Sequence, residues 1–212
     1  YCGQFVNIKL DGLFLRRPIS VCDCEDGQLT LVYKVVGRGT EQMSRMNVGE
    51  ILDVLVGLGN GYDTTVSGDA PLLIGGGVGV PPMYMLCKKL IAEGKNPTVI
   101  LGFNRADEIF YEKEFEALGA RVIVTTVDGS YGVRGFVTDA FANVEYSYFY
   151  TCGPEPMLKA VYRATNTSGQ FSFEERMGCG FGACMGCSCK TVTGYKRICK
   201  EGPVLGKEEI LW

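Results

Sequence analysis

Hydrophobic and polar positions change rhythm near Gly68. Before it, short apolar or alternating runs at Gln4–Leu10, Gln28–Val36 and Ile51–Val56 are parted by the turn signals Asp11-Gly12 and Asp26-Gly27. These predict strands of an antiparallel barrel, with a short helical insert over Thr40–Met46. After Gly68 the chain alternates. Pro71–Ile74, Thr98–Gly102, Arg121–Thr126 and Ser147–Thr151 read as strands. Pro81–Ala92, Glu112–Leu118, Gly135–Phe141 and Glu155–Ala164 read as helices, and Pro81 suits a first helical turn. Such alternation predicts a parallel sheet with helices on both faces. From about Phe171, short strands surround a cysteine-rich loop. The expected fold is a β barrel plus α/β, divided at 1–67, 68–170 and 171–212, with no internal repeat or low-complexity stretch.

Composition narrows the class of function. A chain of 212 residues with 46% hydrophobic and 21% charged positions is ordinary for a soluble globular protein with an ample core. A net charge of −3 argues against nucleic acid or an anionic membrane as partner. No apolar run has the length of a membrane span and no signal peptide opens the chain, so a cytoplasmic location is expected. The ten cysteines then point to metal binding rather than disulfides. The chain opens on Tyr1, so a fragment or a processed product is expected.

Four cysteines carry the strongest chemistry. Cys179, Cys184 and Cys187 have the spacing C-x4-C-x2-C, and Cys199 follows further on. This is the plant-type pattern for a [2Fe–2S] cluster, a carrier of single electrons. Gly178, Gly180, Gly182 and Gly186 let the loop curl and bring N–H groups toward the sulfurs. Met177, Phe181 and Met185 are expected to shield the cluster. A structural zinc site is the serious alternative, but zinc usually takes a second C-x2-C pair or histidines, and this chain has no histidine. Cys189 competes with Cys199 as fourth ligand. Cys199 is favoured because a ligand from a separate strand encloses a cluster better.

Other motifs are weak singly. Ile74–Pro82 is a glycine-rich turn between a strand and a helix, where a phosphate can approach the backbone and the helix N-terminus favours negative charge. Pro82 stands where the dinucleotide fingerprint has its last glycine, and such turns are often purely structural. Cys152-Gly153-Pro154 ends the last apolar strand of the α/β unit, where ligands of open sheets bind, although a plain strand–helix junction reads the same way. Arg16-Arg17-Pro18-Ile19-Ser20 suits a phosphate, yet a solvated arginine pair is commoner. Tyr33 is placed to stack on an aromatic ring, with the Gly39 and Thr40 amides available for phosphate.

Together these residues resemble the ferredoxin–NADP reductase superfamily. There an Arg-x-x-Ser strand binds FAD, and Gly-x-Gly-x-x-Pro and Cys-Gly-Pro-x-x-Met turns bind the nicotinamide cofactor. The matching positions are Arg17–Ser20, Gly77–Pro82 and Cys152–Met157. Leu58–Tyr62, Glu174–Met177 and Tyr195–Val204 are similar to the electron-transfer subunits of NAD-dependent (B-type) dihydroorotate dehydrogenase, over nearly the whole chain. The resemblance implies an FAD-binding barrel, a nicotinamide-binding α/β domain and a C-terminal [2Fe–2S] module. It implies that Arg17, Pro18, Ile19 and Ser20 hold FAD, that Val32, Tyr33 and Lys34 line the flavin, and that Gly39 and Thr40 meet its phosphates. Gly75, Gly76, Gly77 and Gly79 would face the NAD pyrophosphate, with Cys152, Gly153 and Pro154 beside the nicotinamide. Cys152 is expected to act by packing, and no catalytic residue is expected on this chain.

The implied partner is an FMN-containing catalytic subunit, in a heterotetramer of two chains of each kind. Dihydroorotate would be oxidised on that FMN, and electrons would pass through the cluster and FAD to NAD⁺ in pyrimidine (UMP) biosynthesis. The alternatives are an NAD(P)H-linked iron–sulfur flavoprotein subunit serving a ferredoxin, sulfite reductase or hydrogenase, and a non-catalytic zinc-ribbon module. Two departures stand out. The family carries barrel strands ahead of Gly3–Val6, so the barrel is expected to be truncated here, and Val56-Gly57 replaces a proline ahead of Leu58.

Overall fold

The apolar runs at either end of the first unit become strands of one antiparallel sheet. The computed structural model describes residues 1–212, the side chain of Asn143 excepted. β1 (Phe5–Ile8), β2 (Arg17–Glu25), β3 (Gln28–Leu31) and β4 (Val54–Leu58) lie in the order β3-β2-β1-β4. α1 (Arg38–Ser44) packs Met43 against Val6, Ile8, Leu10 and Val21. Asp26 and Gly27, at φ 50° and 76°, make the two-residue hairpin that a right-twisted β2–β3 ribbon favours. The expected strand over Gln28–Val36 stops at Leu31, and Tyr33 and Lys34 leave the sheet to line a cleft.

The α/β unit follows its pattern closely. β5 (Pro71–Gly76), α2 (Pro81–Ala92), β6 (Thr98–Phe103), α3 (Glu112–Ala117), β7 (Arg121–Thr126), β8 (Val133–Arg134), β9 (Tyr148–Cys152) and α4 (Glu155–Ala164) follow in order, strand and helix alternating except between β7 and β9. β5 is buried at every position, as a central parallel strand should be. Its side chains alternate between two cores: Leu73 faces Met83, Leu86 and Phe115 of α2 and α3, whereas Leu72 and Ile74 face Leu158 and Val161 of α4. The helix expected over Gly135–Phe141 is instead a 3-10 turn at Val137–Asn143, opened by Gly135 at φ 124° and by the Asp139 carboxylate accepting the Phe136 N–H at 2.7 Å.

The chain closes with β10 (Gly169–Ser172), the hairpin β11 (Ser188–Thr191) and β12 (Gly194–Arg197), and β13 (Val204–Gly206). β10 extends the parallel sheet beside β9, and β13 returns antiparallel to β10, giving the order β13-β10-β9-β5-β6-β7-β8. The expected boundary between residues 170 and 171 therefore falls inside β10, and the cysteine-bearing segment shares a sheet with the α/β unit. Two latches join the units. Lys88 of α2 bonds Asp23 and Glu25 of β2 at 2.8 and 3.0 Å. Asn60, just after β4, grips the chain before β13: its amide donates to Val204 O at 2.7 Å and Glu201 O at 3.1 Å and accepts the Val204 N–H at 2.9 Å. Among the described residues no helix is long and apolar enough to cross a membrane.

Candidate functional site

The cysteine loop is shaped by left-handed turns at Gly180 (φ 81°), Gly182 (φ 92°) and Met185 (φ 61°). Its four predicted thiols fall into two pairs. Cys179 Sγ accepts the N–H of Ala183 at 3.2 Å and of Cys184 at 3.4 Å, while Cys184 Sγ accepts the Cys179 N–H at 3.5 Å. Cys187 Sγ accepts the Cys199 N–H at 3.4 Å, and both residues are buried. Burial opposes ionisation of Cys179, but the N–H groups of Cys184, Phe181 and Ala183 outweigh it and bring the thiol down to about 6. Burial, with the neighbouring Cys187 thiol, pushes Cys199 up to about 12.

This donor set fits a binuclear cluster, which takes two thiolates on each of two irons. Cys189, the competing thiol, lies on β11 in the wall of a separate cavity of about 460 Å³. The shielding expected from three apolar neighbours is only partial. Met177 is half-buried, but Phe181 and Met185 are 56% and 54% exposed, because the left-handed turns throw them outward.

A cleft of about 370 Å³ runs between the antiparallel sheet and the cysteine loop. Arg17, Pro18, Ile19, Ser20, Val32, Tyr33, Lys34 and Thr40 all line it. Gly39 lies beneath Arg17, where any Cβ would collide with the guanidinium. Of the two adjacent arginines only Arg17 lines the cleft: Arg16 is turned to the Asp53 carboxylate at 2.9 and 3.0 Å. The Thr40 hydroxyl accepts the N–H groups of Val36 at 2.9 Å and Gly37 at 3.2 Å, so it shapes the turn itself. Apolar walls with the Arg17 and Lys34 cations suit a flat ring system carrying a diphosphate. Phe5, Val36, Val78, Phe173, Glu174, Glu175, Met177 and Pro203 complete the lining and were not among the expected site residues. For Glu174 and Met177 the signal was the Glu174–Met177 motif that carries the family resemblance.

The glycine turn and the Cys-Gly-Pro turn lie against each other. A Cβ on Gly79 would strike the Cys152 carbonyl, and one on Gly76 would strike the Met157 sulfur. Gly75 packs on Val80 less tightly, a Cβ there standing 2.9 Å from the Val80 Cα. Gly77 is different: its φ of 51° calls for glycine, yet a Cβ there would meet nothing, so one point of the turn is open to a ligand. The helix N-terminus contributes less than expected. Pro81 and Pro82 have no N–H, and the Met83 N–H is taken by Val80 O at 3.0 Å. An anion must therefore be met by amides of the glycine turn itself. Cys152 is 2% exposed, and burial pushes its thiol up to about 12, which suits packing rather than nucleophilic attack.

Comparison with known proteins decides the family. Residues 174–211 match the iron–sulfur cluster binding domain of dihydroorotate dehydrogenase B, and residues 73–163 match the oxidoreductase NAD-binding domain. The chain is 45% identical to the dihydroorotate dehydrogenase B (NAD(+)) electron transfer subunit of Fusobacterium nucleatum, over 95% of this chain and 83% of the relative. It is 42% identical to the protein of the same description from a Geobacillus species, over 99% and 86% respectively. The chain belongs to this family of electron transfer subunits. A solved structure of an NADH-dependent reduced ferredoxin-NADP oxidoreductase superposes with a TM-score of 0.89 at 32% identity, covering 100% of this chain and 79% of that one.

As a dihydroorotate dehydrogenase B electron transfer subunit, the chain is an oxidoreductase component with a ferredoxin–NADP reductase-like fold. It carries electrons to NAD⁺ on behalf of a catalytic subunit, with an iron–sulfur cluster, FAD and NAD as cofactors. The zinc-ribbon alternative falls, because the cysteine loop lies within the matched iron–sulfur domain.

Proposed function

We propose that the subunit takes electrons from an FMN-containing catalytic subunit at its cysteine loop and delivers them to NAD⁺ at its glycine turn. The assembly is a cytoplasmic heterotetramer with two chains of each kind. One observation carries this reading: a single cleft has Met177, two residues before Cys179, in one wall and Val78 of the glycine turn in another. Held by these residues, FAD would supply the conversion between the electron pairs of nicotinamide and the single electrons of a [2Fe–2S] cluster.

The chain's own residues bind and orient. Arg17 and Lys34 neutralise the flavin diphosphate, with Gly39 leaving room for the guanidinium and Thr40 holding the turn. Pro18, Ile19, Ser20, Val32 and Tyr33 flank the ring, and Phe5, Phe173 and Pro203 exclude water from it. Gly75, Gly76, Gly77 and Gly79 bring backbone amides to the NAD pyrophosphate, while Cys152, Gly153 and Pro154 pack beside the nicotinamide. Cys179, Cys184, Cys187 and Cys199 hold the cluster. The deciding experiment mixes the flavin- and iron-loaded subunit with its FMN partner under anaerobic conditions. Dihydroorotate-dependent NADH formation is expected, from a complex whose mass corresponds to two chains of each. NADH-linked reduction of ferredoxin without any dihydroorotate activity would instead favour a reductase serving another partner.

A further inference from the structure

Asn7 is a polar side chain where an apolar one would pack. It lies in β1, 1% exposed, opposite Pro18 of the FAD motif. Phe5, on the same face of the strand, lines the flavin cleft and packs with Cys187, Ile198 and Cys199. This face of β1 is thus a material bridge between cleft and cysteine loop. Asn7 Nδ2 donates to the carbonyl oxygen of Cys179 at 3.4 Å. The next residue, Gly180, is seated so closely that a Cβ there would collide with Asn7 Nδ2. The strand behind is anchored: Arg16 Nη1 donates to Asn7 O at 3.3 Å and is itself held by Asp53.

The other half of the amide is wasted. Asn7 Oδ1 is buried and has no hydrogen-bond partner. A buried unpaired acceptor costs stability, whereas a leucine of similar size would not. A position that gives up stability in this way, at the junction of two redox sites, points to function.

We infer that Asn7 is a positioning residue for internal electron transfer, pinning the Cys179–Gly180 backbone to the flavin-binding sheet and so setting the flavin-to-cluster separation. The inference rests on the cofactor placement proposed above. Electron transfer falls steeply with distance, and loss of contacts that orient metal ligands commonly costs about 10–100-fold.

The test compares wild type with Asn7→Leu in the loaded subunit. NADH is mixed in anaerobically, and flavin bleaching and cluster reduction are followed separately. Asn7→Leu is expected to keep wild-type FAD and iron, melt at the same or a higher temperature, and bleach its flavin at the wild-type rate. Its cluster is expected to be reduced about tenfold more slowly. Amide hydrogen exchange across residues 178–184 is expected to accelerate, in loaded and iron-free protein alike. Asn7→Ala, which loses the donor without adding a charge, is expected to show the same slow step, and it carries the test if the leucine variant does not fold. Normal cofactors with an unchanged cluster step would overturn the assignment of Asn7. So would a fall in melting temperature with loss of iron, which marks an ordinary structural residue. Wild-type protein without flavin or iron would instead sink the cofactor placement, and this inference with it.

Discussion

Arg197 grips the cysteine loop at Gly182, two residues beyond the Gly180 that seats against Asn7. Its Nη1 donates to the Gly182 carbonyl at 2.6 Å, and its Nε donates to both oxygens of Glu201 at 3.1 and 2.9 Å. The guanidinium holds the Glu201 carboxyl down to about 2. A cation beside the thiolates favours the reduced cluster, and a planar fork is needed to hold the loop and Glu201 at once. Arg197→Gln is therefore expected to lower iron affinity about tenfold and to lower the cluster midpoint potential, read by chelator competition and redox titration. Arg197→Lys should recover the potential but only part of the affinity. At the thiols themselves, Cys199→Ser is expected to abolish iron and sulfide retention, while Cys189→Ser retains both at wild-type levels. Cys199 is 1% exposed and its N–H donates to the Cys187 sulfur, whereas Cys189 lines a different cavity. Iron and sulfide counts on the two purified variants decide between them.

Two elements work through close backbone approach. In the glycine turn, Gly79→Ala forces a methyl group onto the Cys152 carbonyl and is expected to cost about 1–3 kcal/mol of stability. Gly77→Ala meets no neighbour and costs only the left-handed backbone, about 1–2 kcal/mol. Its methyl group would stand where the dinucleotide is proposed to lie, so KM for NADH is expected to rise with little change in flavin content. Thermal melts and steady-state kinetics separate the two variants. The Asn60 latch is the second element. Asn60→Ala leaves the Val204 N–H and two carbonyls without their partner. A loss of about 2 kcal/mol is expected, lowering Tm by roughly 4–8 °C. Iron retention should fall in parallel, because the same latch seats the chain between Cys199 and β13.

At the scale of the whole molecule, three sites share walls. The flavin cleft touches the cysteine loop through Met177 and the glycine turn through Val78, and Phe173 and Glu174 stand between it and the second cavity. Such an arrangement predicts separable halves of one electron path. Iron-stripped subunit is expected to bleach its flavin with NADH at the loaded rate, yet to yield no NADH from dihydroorotate when the FMN subunit is added. Anaerobic stopped-flow on the stripped and reconstituted protein measures both. Recovery on returning iron and sulfide would tie the loss to the cluster rather than to unfolding.

Local pattern alone determined much of this protein. The alternation of short apolar strands and helices after Gly68 specified the parallel sheet, because burial on both faces leaves continuous apolar runs such as Leu72–Ile74. Cysteine spacing pointed to an iron–sulfur module, and eight of the nine residues predicted to meet FAD line one cleft. What the sequence left open depends on contacts between distant residues. Nothing near Arg16 and Arg17 says which of them meets Asp53 and which the cleft. β2 carries Asp23 and Glu25 within a strand because α2 brings Lys88 over them. Asn60 meets Val204 across 144 positions, and Asn7 meets Cys179 across 172. Periodicity reports on neighbours a few residues apart. Only the closing of the sheets against one another decides which polar side chains become latches, and whether a cleft and a cysteine loop come to share a wall.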